Sequence, residues 1–275
     1  MKGTQSIERA IQLLRLFNDE QPDWTLQELI FETGLTKTTV FRMLSTLKDE
    51  GFLDQSESGQ WCLGSELIML GGRSMRRHRV RSIAGKFMRK VARVTGESVT
   101  LDILWVDDHN CPYSMVIDEA LGHHLLGMTQ YVGSQLPAHA TSTGKALLAY
   151  QPEDVLNTFN LNELASLTDD TIRTKTDLLE ELKQVKAQGF GMTVHELEVG
   201  IMGIAVPIFN HHNEIVAALS AAGPASRLPI KKLTSFAPIL KEAAGDISYK
   251  IGFRPETENH PPLNKDTTHE KTQPF

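Results

Sequence analysis

The sequence predicts two folds in series: an N-terminal winged helix-turn-helix, mostly α with a β-hairpin wing, and a C-terminal α+β domain on an antiparallel sheet. Three observations carry this. Residues 1–64 hold three helical stretches and one hairpin, with a glycine turn between the second and third helix. From about Val80 the chain mixes strand-like and helical runs without strict βαβ alternation, which suits an antiparallel sheet flanked by helices. Between the two, residues 65–79 read as a linker helix.

Taken in order, "TQSIERAIQLLRLFNDE" places Ile7, Ala10, Ile11, Leu14 and Phe17 on one apolar stripe, with Ser6 as its N-cap. In "QPDWTLQELIFETG", Pro22 blocks continuation and Thr25-x-x-Glu28 is a capping box opening a short second helix. Gly34 suits the left-handed residue that ends it. A third helix runs from about Thr36 to Asp49, where Val40, Leu44 and Leu47 recur at helical spacing, and Gly51 stops it. "FLDQSESGQWCLG" is a hairpin, residues 52–55 and 60–63 around the turn Glu57-Ser58-Gly59. "SELIMLGGRSMRRHRV" is the linker helix, interrupted by Gly71-Gly72.

In the second domain, residues 80–253, "RSIAGKFMRKVARVTG" is a helix ended by Gly96. "SVTLDILWV", "YSMVI" and "HHLLGMTQYV" follow as strands. "TSTGKALLAY" and "KTDLLEELKQVKAQG" are helices. Then come three strands, "FGMTVHE", "MGIAVPIF" and "EIVAALSAA", and one final helix, "IKKLTSFAPILKEAAGDISYKIG". Residues 254–275 are polar, proline-bearing and aperiodic, the composition of a disordered tail.

The chain of 275 residues has room for two domains, and its 40% hydrophobic and 23% charged residues are those of a soluble globular protein. No apolar run reaches the roughly 18 residues of a membrane span, and the N-terminus lacks the parts of a signal peptide. The 2 cysteines, Cys62 and Cys111, are too few for a disulfide framework. A cytoplasmic protein is the expectation. A net charge of −6 argues against non-specific coating of nucleic acid while leaving room for local basic patches. Arg73, Arg76, Arg77, Arg79 and Arg81 form one such patch, or simply a solvated helix face.

The third helix opens with Thr36, Lys37, Thr38 and Thr39, short hydroxyls around a lysine. They are either an ordinary cap or an end built to meet an anion. Helix-turn-helix geometry favours DNA, although it also occurs without it.

The whole arrangement resembles the IclR-type transcriptional regulators from about Ser6 to Gly252. The residues carrying the resemblance are "SIERAIQLL", "TGLTKTTVFRML", "WCLG", "LPAHATSTGKALLA", the E-x-x-x-G of Glu196 to Gly200, "GIAVPIF" and "ALSAAGP". It implies a GAF-like effector domain behind the helix-turn-helix, and dimers or tetramers on palindromic double-stranded DNA operators near catabolic genes. With the third helix as recognition helix, Lys37 and Arg42 have the reach for base edges or phosphates, while Thr36, Thr38 and Thr39 fix register through phosphate or base contacts. Ser58 and Gly59 at the hairpin tip meet DNA as a wing, against the sign of Glu57. Arg9 either supports a backbone contact or pairs with an acid such as Glu8.

The resemblance also implies an effector pocket lined by Leu125, Met128, Ser142, Thr143, Gly144, Thr193, Ile201, Gly203, Ser220 and Ala222. A helix opening at "TSTGK" suits a carboxylate, and Leu125, Met128 and Ile201 supply an apolar wall. The bland reading is that these are core and capping residues. Relatives that take small oxo-acids often carry an acid where Thr193 stands, a cysteine for Gly203 and a serine for Ala222. A less polar, roomier pocket follows, suited to an aromatic or longer organic acid rather than glyoxylate or pyruvate.

Enzyme motifs are weak. "HATSTGKA" lacks the first glycine of a phosphate loop, and Ala146 follows Lys145 where Ser or Thr is needed. "HELEV" lacks the second histidine of a zinc-protease helix, and the pairs His123-His124 and His211-His212 have poor metal spacing. The expectation is therefore a ligand-responsive regulator, most simply a repressor, with no catalytic residues, cofactor or metal. The alternatives are a small-molecule-binding module whose helix-turn-helix serves dimerisation only, and an enzyme on the GAF-like domain.

Overall fold

The computed structural model describes residues 4–18, 20–124 and 131–254. They divide into two compact units, Met1–His78 and Arg79–Phe275.

In the first unit α1 (Gln5–Leu14), α2 (Leu26–Thr33) and α3 (Lys37–Asp49) precede a hairpin of β1 (Leu53–Gln55) and β2 (Trp61–Leu63), followed by α4 (Ser65–Arg77). Leu53 pairs Leu63 and Gln55 pairs Trp61 across the hairpin. A third rung is added by Trp24, which exchanges backbone hydrogen bonds with Trp61 at 2.9 and 2.7 Å. The capping box forms as the residue types predict: Glu28 N donates to Thr25 Oγ1, and Thr25 N donates to Glu28 Oε2 at 2.8 Å. Gly34, at φ +62°, ends α2 in the left-handed region that glycine enters without cost. Leu13, Phe17, Trp24, Leu29, Val40, Leu44, Leu53 and Trp61 form the core of this unit.

Two expectations need correction here. α1 begins at Gln5, with Ser6 already inside it, and Thr4 before it makes no side-chain cap. It stops at Leu14, because Asn18 Oδ1 accepts from the amides of Glu20 and Gln21 and turns the chain. Its buried side is set by Leu13, while Ile7 and Ile11 of the expected stripe are exposed. α4 runs unbroken through Gly71 and Gly72, neither of which has a positive φ. The glycines weaken the helix without interrupting it.

The second unit is a six-stranded antiparallel sheet in the order β5-β4-β3-β8-β7-β6. Its strands are β3 (Ser98–Val106), β4 (Pro112–Ala120), β5 (Gln135–Pro137), β6 (Gly191–Val194), β7 (Ile201–Phe209) and β8 (Ile215–Pro224). The helices are α5 (Arg79–Thr95), α6 (Ser142–Ala149), α7 (Glu153–Leu156), α8 (Lys175–Gln188), α9 (Ile230–Ser235) and α10 (Ala237–Lys250). Alternation along the strands sorts the two faces. Val99, Leu101, Ile204, Val206, Leu219 and Ala221 pack with α5, α9 and α10 in the main apolar core. The opposite face meets α6, whose Ala146 and Leu147 pack on Ala205 and Ala218. α8 backs α6 through Leu178, Leu182 and Val185.

The single final helix of the sequence reading is two, α9 and α10. Pro238, in the first turn of α10, has no N–H to donate back into a continuous helix. Most of "HHLLGMTQYV" lies outside the described residues. His123, His124, Tyr131 and Val132 are not in a strand, and the strand beside β4 is β5. Residues 255–275 also lie outside the described residues.

Candidate functional site

Two surfaces bear on function, one in each unit. In the first, Thr36 precedes α3 as its N-cap: Thr39 N donates to Thr36 Oγ1, and the two hydroxyls lie 2.9 Å apart. Val40 and Leu44 are fully buried. Thr38 and Arg42, four residues apart, therefore project from the opposite side of the helix, and both are exposed, as is Lys37. The N-terminal end of α3 presents a basic, hydroxyl-rich surface at the positive pole of the helix. Arg9 lines a groove between α1 and α3 of about 640 Å³, together with Thr39, Arg42 and Thr46. The groove thus brings Arg9 and Arg42 to one surface.

At the hairpin tip Ser58 and Gly59 are exposed, and Gly59 takes φ +81°. Ser58 Oγ lies 2.8 Å from Ser56 Oγ and donates to Gln60 Oε1, so the hydroxyl is already engaged within the turn. Glu57 is exposed beside them.

In the second unit a cavity of about 30 Å³ lies between the start of α6 and the polar face of the sheet. It is lined by Ser142, Thr143, Thr193, Ile201, Gly203, Ser220 and Ala222, together with Leu136, Thr141, Leu197 and Met202. Leu125 and Met128 lie outside the described residues. Gly144 is not part of the lining. It packs against the backbone of Ala138, where an added Cβ would come within 2.3 Å of the Ala138 carbonyl oxygen.

The cavity holds about one water molecule's share of liquid volume, smaller than the roomy pocket inferred from sequence. The cause is local. A Cβ at Gly203 would lie 3.0 Å from Ser142 Oγ and 3.3 Å from Thr193 Oγ1. The space a side chain would occupy at position 203 is taken by those two hydroxyls. The sheet β6-β7-β8 brings the contributors together, with Thr193 opposite Gly203 and Gly203 opposite Ala222.

Behind the lining is a polar layer that the sequence reading missed. Thr100 and Ser220 hydroxyls lie 2.8 Å apart, and Ser114 Oγ lies 2.7 Å from both Asp102 Oδ2 and Thr143 Oγ1. Asp102 is 1% exposed, and its Oδ1 has no hydrogen-bond partner. Burial raises its carboxyl above the usual aspartate range, against the pull of the hydroxyls of Thr100, Ser114 and Thr143. The signal was a lone acid within the otherwise apolar run "SVTLDILWV".

The sequence offers Lys145 only as part of a phosphate-loop motif that is incomplete. It is 1% exposed, and its Nζ lies 2.7 Å from Glu196 Oε1 and 3.1 Å from Glu181 Oε1, and donates to Met192 O. This ties α6 to α8 and to the turn after β6. Thr171, from the segment before α8, donates its Oγ1 proton to Glu196 O of that turn at 2.6 Å, and within the turn Gly200 N donates to His195 Nδ1. Burial raises the Glu196 carboxyl, with Lys145 opposing it. Among the described residues no group of three or more His, Cys, Asp and Glu is placed to hold a metal ion. No helix there is long and apolar enough to cross a membrane.

The profile described as "IclR helix-turn-helix domain" matches residues 6–57, and that of "Bacterial transcriptional regulator IclR C-terminal" matches residues 72–249. The chain is 30% identical over 250 residues to the transcriptional repressor IclR of Escherichia coli K12, covering 90% of each. It is 31% identical to the E. coli regulator XynR, covering 90% of this chain and 98% of that one. Among solved structures, an IclR transcriptional regulator from Alicyclobacillus acidocaldarius superposes with TM-score 0.77 at 27% identity, covering 90% of this chain and 99% of that one. An IclR homologue from Microbacterium hydrocarbonoxydans, complexed with 4-hydroxybenzoate, gives 0.78 at 25%, with the same coverage.

Proposed function

The chain belongs to the IclR family of transcriptional regulators, a helix-turn-helix joined to a C-terminal effector domain, and from that premise we propose that it is a ligand-responsive repressor. The observation that carries the DNA half is the exposed, capped N-terminus of α3, where Lys37 is exposed in the first turn and Thr38 and Arg42 project away from the buried Val40 and Leu44. Arg42 has the planar fork that suits a guanine edge, while the threonine hydroxyls suit phosphates. One such helix reads few base pairs, so the protein binds as a dimer or tetramer to a palindromic operator. Repressors among its relatives favour this over a helix-turn-helix that serves dimerisation alone. The same relatives favour regulation over catalysis in the C-terminal domain.

The effector is a small organic acid, held between the first turn of α6 and the hydroxyls of Thr193 and Ser220. α6 offers amide N–H groups at its start, and Ile201, Leu136 and Leu197 offer apolar contact. An aromatic acid is the class we favour, supported by the Microbacterium structure with 4-hydroxybenzoate. The cavity must open to admit it, so binding selects a wider arrangement of the pocket walls.

The test is an electrophoretic shift on DNA upstream of the protein's own gene, repeated with a panel of aromatic, sugar and short oxo-acids. A specific complex released by one acid class is the expected result. Absence of any sequence-specific complex would remove the repressor reading. A complex released by glyoxylate or pyruvate alone would remove the aromatic-acid assignment.

A further inference from the structure

The polar layer under the pocket has a direction. Asp102, Ser114 and Thr143 form a chain with two links of 2.7 Å, the hydroxyls of Thr100 and Thr143 also act on the carboxyl directly, and Thr143 lines the cavity. Ser114 is fully buried and Thr143 is 4% exposed, so each hydroxyl must spend its single proton inside the chain or on the pocket. With Asp102 ionised, Ser114 donates to it, Thr143 donates to Ser114, and Thr143 offers the cavity only an acceptor. With Asp102 neutral, its acid proton goes to Ser114, Ser114 donates to Thr143, and the Thr143 proton is released toward the cavity.

Resting on the organic-acid reading of this pocket, the geometry points to Asp102 as the residue that sets its charge preference: as a neutral acid, it turns the Thr143 hydroxyl into a donor for an anionic ligand oxygen. A carboxylate at Asp102 would leave Oδ1 bare and would have no cation beside it among the described residues. The elements packed on it supply little charge. Asp102 is the one ionisable residue of β3, and β8 has none. α6 has Lys145 alone, which is committed to Glu196 and Glu181. On β4, Asp118 is paired with Arg81, Tyr113 stacks on Trp105, and Glu119 stands opposite Thr100. Burial favours the neutral state as well.

Asp102 would then act without touching the ligand, as a positioning residue. Ionisation does two unfavourable things to a bound carboxylate. It removes the hydroxyl donor, and it places a like charge one relay behind it. Affinity for an acid should therefore fall as pH rises through the titration of Asp102, while the acid itself stays ionised throughout.

The experiment has two arms on the full chain. Infrared difference spectra of wild type against Asp102→Asn, near neutral pH and without ligand, look for the carbonyl band of a buried protonated carboxyl. The band is expected in wild type and lost in the variant; its absence from wild type overturns the proposal. The second arm follows calorimetric binding of benzoate, an aromatic acid with no phenol to ionise, from neutral to alkaline pH. Wild type should weaken about tenfold or more. Asp102→Asn, whose amide still donates to Ser114, should bind with little pH dependence, and Ser114→Ala should bind weakly at every pH while keeping the infrared band. Equal pH dependence in wild type and Asp102→Asn would overturn the assignment. Should benzoate fail to bind wild type, the aromatic-acid reading falls, and the infrared arm still decides the state of Asp102.

Discussion

Lys145 Nζ sits 2.7 Å from Glu196 Oε1 at a site where the lysine is 1% and the glutamate 9% exposed. The pair joins α6, whose first turn lines the cavity, to the turn that follows β6. Its second carboxylate, Glu181, comes from α8. A buried pair contributes little over an apolar replacement, yet it is costly to break from one side. Lys145→Ala should lower stability by about 3–5 kcal/mol, because Glu196 keeps its burial and loses its cation. Adding Glu196→Gln should restore a large part of that. Chemical denaturation of the single and double variants measures it, and a simple sum of the two single losses would deny the coupling.

Arg42 gives a prediction on DNA. Arg42→Ala should weaken operator binding by about 1–3 kcal/mol and relax the preference at one base pair. Its exposed position leaves the fold of the first unit intact. Quantitative shift assays on the operator and on single-base variants are the check, and affinity unchanged within a few tenths of a kcal/mol would take Arg42 out of the interface.

His139 gives a pH dependence with a definite sign. It is 6% exposed, and its Nε2 lies 2.9 Å from Ala165 O. Burial lowers its pKa, so the fold disfavours the charged ring. Below about pH 6.5 the unfolded chain takes up a proton that the folded chain refuses, so stability should fall with pH there. Replacing His139 by Gln should flatten that slope in denaturant midpoints measured across the range. The raised Asp102 carboxyl has the opposite sign: stability is lost as pH rises above about 4, up to its folded value.

Gly71 and Gly72 separate stiffness from function. An added Cβ meets nothing within 4 Å at Gly71, and only Arg76 Nη1 at 3.7 Å at Gly72. Alanine at both should stabilise α4 by up to about 1 kcal/mol each. If the glycines serve as the flexible point between ligand and DNA, the double variant should bind operator but respond less to effector. An unchanged response would discard that role.

What was legible in the sequence was what is local. Thr25 with Glu28, Gly34 after α2 and the Glu57-Ser58-Gly59 turn are each signals within five residues, and each forms as read. Asn18 ended α1 early through a side-chain turn that apolar spacing does not register. Pro238 split the last helix, a signal visible in the sequence but outweighed by the periodicity around it. β5 has three residues, too few for any alternation to show. Seven of the ten pocket residues flagged by motif line one cavity, yet the hydrogen-bond partnerships around it join distant positions. Lys145 and Glu196 are 51 residues apart, and Thr100 and Ser220 are 120 apart. The second pair becomes visible only once β3 and β8 lie side by side.

That adjacency has a consequence for how the molecule is made. β3 borders β8 at the middle of the sheet, Thr100 opposite Ser220, so the sheet stays in two halves until the chain has been synthesised past β8. The helix-turn-helix, built from contacts within its own first 78 residues, can fold on the ribosome well before that. The DNA-reading part is thus born ahead of the sensor. A chain truncated before β8 would lack Ser220 and Ala222 of the cavity while retaining the sequence of the domain proposed to bind the operator.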